Sequence, residues 1–223
     1  NGKCFSYPGY NEILCGYPDA KVTSNAKILN RNVTVLEWLH NKPEFKSKVA
    51  AFTSWDVFPF IINSERSGIL VNSAHMPLTG VTETDEVKLL NRLIAENPLV
   101  GEGTRHDALT YHAARIYLKE KKPKLLFISF DETDEQAHGG RYDRVLGSAR
   151  KADGLIKDLW ETVQKMPEYQ GKTTLIIATD HGRGGRLALR RAGARAGGVV
   201  CPDLRRGARP ALRGGAARAD CGS

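Results

Sequence analysis

Two short segments each pair a carboxylate with an imidazole. Asp134-Glu135-Gln136-Ala137-His138 places the two groups four residues apart, and Asp180-His181-Gly182 places them side by side. Both lie at or within a few residues of the end of an apolar, β-branched run, at residues 125–130 and 174–179. Neutral imidazole nitrogen and carboxylate oxygen are good ligands for Zn²⁺ or Mn²⁺, and open α/β sheets place their chemistry at the carboxyl ends of strands. Two such pairs are what a two-metal hydrolytic site requires. The chain therefore reads as part of a metallohydrolase.

The elements that must deliver these groups follow from the apolar pattern. Leu175-Ile176-Ile177-Ala178-Thr179 is apolar enough for a strand buried on both faces. Asp180 and His181 would then emerge at its end, and Gly182 would permit the turn away. The bland alternative makes Asp180 a helix cap and His181 an ordinary loop residue. The first pair sits among further acids, Asp131, Glu132 and Glu135, which alone would suggest a solvated loop. An Asp and a His four apart close on one ion from a helical turn or a tight loop.

Apolar spacing predicts helices at residues 10–15, 32–40, 84–96, 107–120 and 142–166, and strands at 49–54, 125–130 and 174–179. The last long helix is expected to turn Ala149, Ala152, Ile156, Leu159 and Val163 inward. Residues 62–82 read as a long loop or cap. Strands alternating with helices imply an α/β fold, with a mostly parallel sheet sandwiched by helices. Trp38, Trp55 and Trp160 are expected in the core. Of the other histidines, His40 and His112 read as structural, His40 closing a helix where a cation suits the dipole. His75 reads as exposed to solvent, and His106, like the others, has no partner at ligand spacing.

Composition limits the partners. With 223 residues and 41% apolar content, the chain can build a hydrophobic core. No apolar run is long enough to span a bilayer, and the first residues lack the apolar stretch of a signal peptide. The net charge of +8 would suggest an acidic partner, but ten arginines against Asp203 and Asp220 after residue 182 account for all of it. Residues 186–223 form an Arg/Gly/Ala-rich tail drawn from very few residue types. That palette is expected from a shifted reading frame rather than from a basic nucleic-acid arm, so no nucleic-acid partner is expected and residues 1–185 are taken as the domain. Cys4 and Cys15 show no CxxC spacing, so no zinc knuckle is indicated. Asn32-Val33-Thr34 matches a glycosylation sequon that often arises by chance.

A family resemblance joins the motifs. Asp134-x-x-x-His138, then a helix, then Thr179-Asp180-His181-Gly182 is similar to the alkaline phosphatase superfamily, nearest its type I phosphodiesterase/nucleotide pyrophosphatase branch. Upstream, Phe5-Ser6-Tyr7-Pro8-Gly9-Tyr10 with Gly16-Tyr17-Pro18-Asp19 resembles that family's nucleophile turn, so the likeness runs from about residue 4 to 185. The resemblance implies hydrolysis of a small phosphate mono- or diester. Ser6 would be the nucleophile, Asp180 and His181 would hold one zinc shared with the Ser6 oxygen, and Asp134 and His138 would hold the other. Mn²⁺ is a second candidate, and Asn25 falls where the family's phosphate-contacting Asn lies. The family also supplies an Asp ahead of the nucleophile and a His beyond the Asp-His-Gly motif. Neither is present here, so the domain is expected to be incomplete and each ion one protein ligand short. A periplasmic or secreted location is what the resemblance suggests. A related sulfatase would need Arg where Tyr10 stands, while a phosphomutase shares the metal motifs. The non-enzyme alternative is a basic binding module or a metal-free relative.

Overall fold

Strand β1 (Val49–Thr53) is buried along its whole length, and its alternation divides the core. Val49 and Ala51 face one cluster, with Tyr7, Leu14, Leu36, Phe58 and Ile61. Ala50 and Phe52 face the other, with Leu78, Val87, Leu90, Ile94 and Tyr117. A strand apolar on both faces must be central and covered twice. In the computed structural model, which describes residues 2–182, β1 pairs in parallel with β2 (Leu70–Ser73) on one side and β3 (Leu125–Ser129) on the other. The tail from residue 186, and the reading-frame shift expected there, lie outside the described residues.

The first face is covered by α1 (Ser6–Cys15), α2 (Val35–His40) and α3 (Phe58–Ile61), with the short α4 (Ser64–Ser67) against α3. The second is covered by α5 (Asp85–Glu96) and α6 (Asp107–Lys121). After β3 come α7 (Glu132–His138) and the long α8 (Tyr142–Gln164), which pack on each other. This is the expected α/β sandwich with a parallel sheet. Among the described residues, no helix is long and apolar enough to cross a membrane.

Helix starts are chemically specified. Thr34 Oγ1 accepts from the Glu37 N–H at 3.2 Å, and Thr84 Oγ1 from the Val87 N–H at 3.3 Å, each satisfying a donor the helix leaves open. Asp85 and Glu86 add negative charge at the positive end of α5. α1 stops at Gly16, whose φ of +80° lets its N–H reach the Glu12 carbonyl.

Several expectations are corrected. Residues 62–82 are not all loop, because α4 and β2 lie within them. Leu70-Val71-Asn72-Ser73 is too short and too polar to show alternation, and Asn72 is satisfied by donating to the Met76 and Pro77 carbonyls. β3 is half-buried, as suits an outer strand. In α8 only Ser148 and Val163 are buried, and Ala149 faces solvent. Trp38 is 55% exposed, its ring under the Lys42 ammonium at 4.6 Å, and Trp160 is 38% exposed. His40 closes α2 as expected, and burial first, then the Lys46 charge, pushes its imidazole below its ordinary range. The largest difference concerns residues 174–179. They pair with no strand among the described residues, and Ile176 is 83% exposed. Apolarity makes a segment fit for burial, but only a neighbouring strand and two covering layers can bury it.

The loop before α2 is fastened by a fork. Arg66 Nε and Nη2 donate to the Glu37 carboxylate at 2.8 and 2.7 Å, and Nη1 and Nη2 also reach the Asn30 and Asn32 carbonyls. Glu37 is buried, so removing its partner strands a charge. Arg66→Ala is expected to destabilise the chain by about 3 kcal/mol. Urea unfolding checks this, and Arg66→Lys should restore only part, since an ammonium cannot make the fork. The sequon lies in the same region and is in structural use. Asn32 Nδ2 donates to Asn11 Oδ1 and Asp19 Oδ2, and Thr34 is the buried cap of α2.

Candidate active site

The start of α1 is held open for chemistry. Phe5 is extended and offers no side-chain cap, and Pro8 in the first turn has no N–H to satisfy. The cap comes from a distance, because Asn25 Oδ1 accepts from the Tyr7 N–H at 3.0 Å. Ser6 is thereby left at the helix N-terminus, a position that favours anions. Its Oγ lies 3.1 Å from His181 Nε2. His181 Nδ1 meets the Gly182 carbonyl at 2.9 Å, and its Nε2 is 3.5 Å from Asp180 Oδ2. Burial raises the Asp180 carboxyl above its usual range, opposed by His181 and by a hydrogen bond from Ser6. A cavity of about 360 Å³, lined in part by Gly9, Ile13, Asp180 and His181, opens beside them.

Gly9 explains how a stretch outside the sheet reaches Ser6. A Cβ at this position would lie 2.4 Å from the Asp180 carbonyl oxygen, so the main chain of residue 180 rests directly on the helix. Gly9→Ala must therefore push residues 180–182 away from Ser6. The His181 ring resonances are expected to shift in NMR spectra, with little change in thermal stability because that stretch has no ladder bonds to lose among the described residues.

The second pair stands on α7. Asp134 Oδ2 and His138 Nε2 are 3.0 Å apart across one helical turn. The surrounding acids are not a solvated loop. Asp107 caps α7 remotely, its Oδ1 accepting from the Asp131 N–H at 2.8 Å and its Oδ2 from the Glu132 N–H at 3.2 Å. Ser54 Oγ also donates to Asp107, at 2.7 Å. Glu132 is buried. Desolvation opposes its charge, but Lys151 at 2.9 and 3.1 Å, His106 at 3.1 Å and the Asp107 N–H together outweigh it and leave the carboxyl below its usual range. Asp131 accepts from Thr104 Oγ1 at 2.6 Å, and burial above all pushes its carboxyl up to about 7.

The sequence-predicted residues thus form two groups. Ser6, Asn25, Asp180 and His181 meet at the start of α1, while Asp134 and His138 meet on α7. Tyr10 lies between the groups, one turn after Ser6, with its Oη 2.8 Å from Ser129 Oγ at the end of β3. Gly9, Tyr10, Thr104 and Asp107 were missed in the sequence. For Tyr10 the signal was hidden, since the helix expected at 10–15 begins at Ser6, which puts Ser6 and Tyr10 one turn apart on the same face. For Gly9 and Asp107 none did, because their partners are far along the chain. Among the described residues, no three or more His, Cys, Asp or Glu side chains are grouped to hold an ion, so the donors stand as separate pairs.

A family model, Type I phosphodiesterase / nucleotide pyrophosphatase, matches residues 15–185. The chain belongs to this phosphodiesterase family, within the alkaline phosphatase superfamily. No curated protein and no solved structure matches it. The matched stretch of this phosphodiesterase-family chain includes Asn25 and both Asp/His pairs, and Ser6 precedes it. The family supports phosphoester hydrolysis as the class of reaction.

Proposed function

We propose that the chain is a metal-dependent hydrolase of phosphate mono- or diesters that uses Ser6 as its nucleophile. The observation that carries this reading is the Ser6 hydroxyl at the N-terminus of α1, in contact with His181 and beside Asp180. The donor chemistry suits zinc, or manganese as the second candidate. Two ligands bound about 2.0–2.1 Å from a tetrahedral ion lie roughly 3.4 Å from each other. The separations here, 3.1 Å for Ser6–His181, 3.5 Å for Asp180–His181 and 3.0 Å for Asp134–His138, are of that size. Asp180, His181 and Ser6 would hold one ion, and Asp134 and His138 the other. Bound there, such ions would favour the Ser6 alkoxide, lower the pKa of coordinated water and offset phosphoryl charge.

The chain's own groups supply the rest. Ser6 Oγ bonds to phosphorus as the bond to the leaving oxygen breaks, the Ser6 proton passes to solvent, and the departing alkoxide takes a proton from water. Water then cleaves the Ser6–phosphorus bond and releases phosphate or its monoester. The positive end of α1 favours the anion, and the Asn25 amide NH₂ is the donor for a phosphoryl oxygen.

The test uses p-nitrophenyl phosphate and bis(p-nitrophenyl) phosphate with added Zn²⁺ or Mn²⁺, and mass spectrometry of the Ser6 peptide after rapid acid quench. Chelator-sensitive turnover with phosphate on Ser6 is the expected result. Turnover indifferent to chelation would remove the ions from the proposal, and an adduct on another residue would remove Ser6.

A further inference from the structure

Helix α1 contacts the first donor pair directly and the strand that leads to the second. Through Ser6 and Gly9 its first turn carries Asp180 and His181. One turn later Tyr10 Oη bonds Ser129 Oγ at 2.8 Å, and Ser129 is the last residue of β3, from which the chain passes into α7 with Asp134 and His138. The Tyr10 ring is fixed in a T-shaped contact with Phe58 at 4.6 Å and by Phe127 at 6.4 Å, so the phenol has little freedom to follow a shifting partner. Burial first, then the carboxylates of Asp180, Asp131 and Asp134, hold that phenol far above its ordinary range; it stays protonated with acids from both groups around it.

We propose that Tyr10 is a positioning residue, whose bond to Ser129 sets the separation between the Ser6/Asp180/His181 group and the Asp134/His138 group. Residues 174–179 have no ladder pairing among the described residues, and α7 rests on α8 with Asp107, Thr104 and Lys151 holding its start. The Tyr10–Ser129 bond is the polar tie, beside the Tyr10–Phe127 ring contact, between the helix under the first group and the strand behind the second. The proposal rests on the two-ion reading, since a separation matters only if both groups serve one reaction.

The experiment compares the full chain with Tyr10→Phe, Ser129→Ala and the double variant, each loaded with Mn²⁺. Tyr10→Phe keeps the ring contacts and deletes only the hydroxyl. Three quantities are read: ions bound, electron paramagnetic resonance of the bound ions, and kcat and KM for p-nitrophenyl phosphate. The parent is expected to bind two ions with a spin-coupled spectrum. Each single variant should still bind two ions but show weaker coupling, with kcat reduced about 10- to 100-fold and KM little changed, as a misplacement near 1 Å would cause. The double variant should be no worse than either single variant, because all three break the same bond. Coupling unchanged in Tyr10→Phe, or additive losses in the double variant, overturns the proposal while leaving the two-ion reading intact. A parent that binds no Mn²⁺ overturns that reading, and the proposal with it.

Discussion

Ser6→Ala is expected to lower phosphoester turnover by at least about 10⁴-fold, the scale seen when a nucleophile that acts with its neighbours as a unit is removed. The adjacent Tyr7 hydroxyl cannot take over. Tyr7 follows directly in sequence, but its Oη donates to the Ile28 carbonyl at 2.6 Å and lies 3.2 Å from that of Phe60, on the core side of α1. The fold should be indifferent to the change. Alanine is the best helix former, and the cap of α1 is provided by Asn25 rather than by Ser6. Stability should therefore stay within about 0.5 kcal/mol of the parent. Steady-state kinetics with p-nitrophenyl phosphate, alongside urea unfolding, checks both halves. Activity within tenfold of the parent would show that the reaction does not pass through Ser6.

Phe52→Ala should produce the largest loss of stability, about 4 kcal/mol. Phe52 is fully buried in the central strand, in ring contact with Tyr117 at a centroid distance of 5.2 Å. The strand is hydrogen-bonded on both sides, so the backbone cannot collapse into the space vacated by the ring, and a cavity remains. A typical domain has only about 5–15 kcal/mol in hand, so the change takes a large share of the total. The urea midpoint should fall while the slope of the transition stays constant. Phe52→Leu should lose much less. A loss below about 1 kcal/mol for the alanine variant would mean that the β1 neighbourhood repacks freely, contrary to the close-packed arrangement described above.

What could be read from the residues alone was what short-range pattern encodes. The 3.6 period of Val87, Leu90 and Ile94 located α5, the apolar run around Ala50–Phe52 located β1, and the spacing of Asp134 and His138 correctly allowed a helical turn. Asn25 was placed by family likeness, and the structure brings it to the same turn as Ser6. Hidden features all depended on distant partners. Asp107 contacts residues more than twenty positions away, and Gly9 matters only because residue 180 lies on it. The four-residue β2 carries Asn and Ser on its buried length, so no periodicity could announce it. For residues 174–179 composition was a poor guide in the opposite direction, since hydrophobicity suggested burial and the segment is exposed.

That exposed segment has a practical consequence. Leu175, Ile176 and Ile177 present β-branched and aliphatic side chains to water next to main-chain groups that pair with no strand among the described residues. Such a stretch is a template for cross-chain zippering, the route by which edges seed insoluble aggregates. Purified protein should therefore scatter more light as concentration rises, and a single lysine at position 176 should act as a gatekeeper against this.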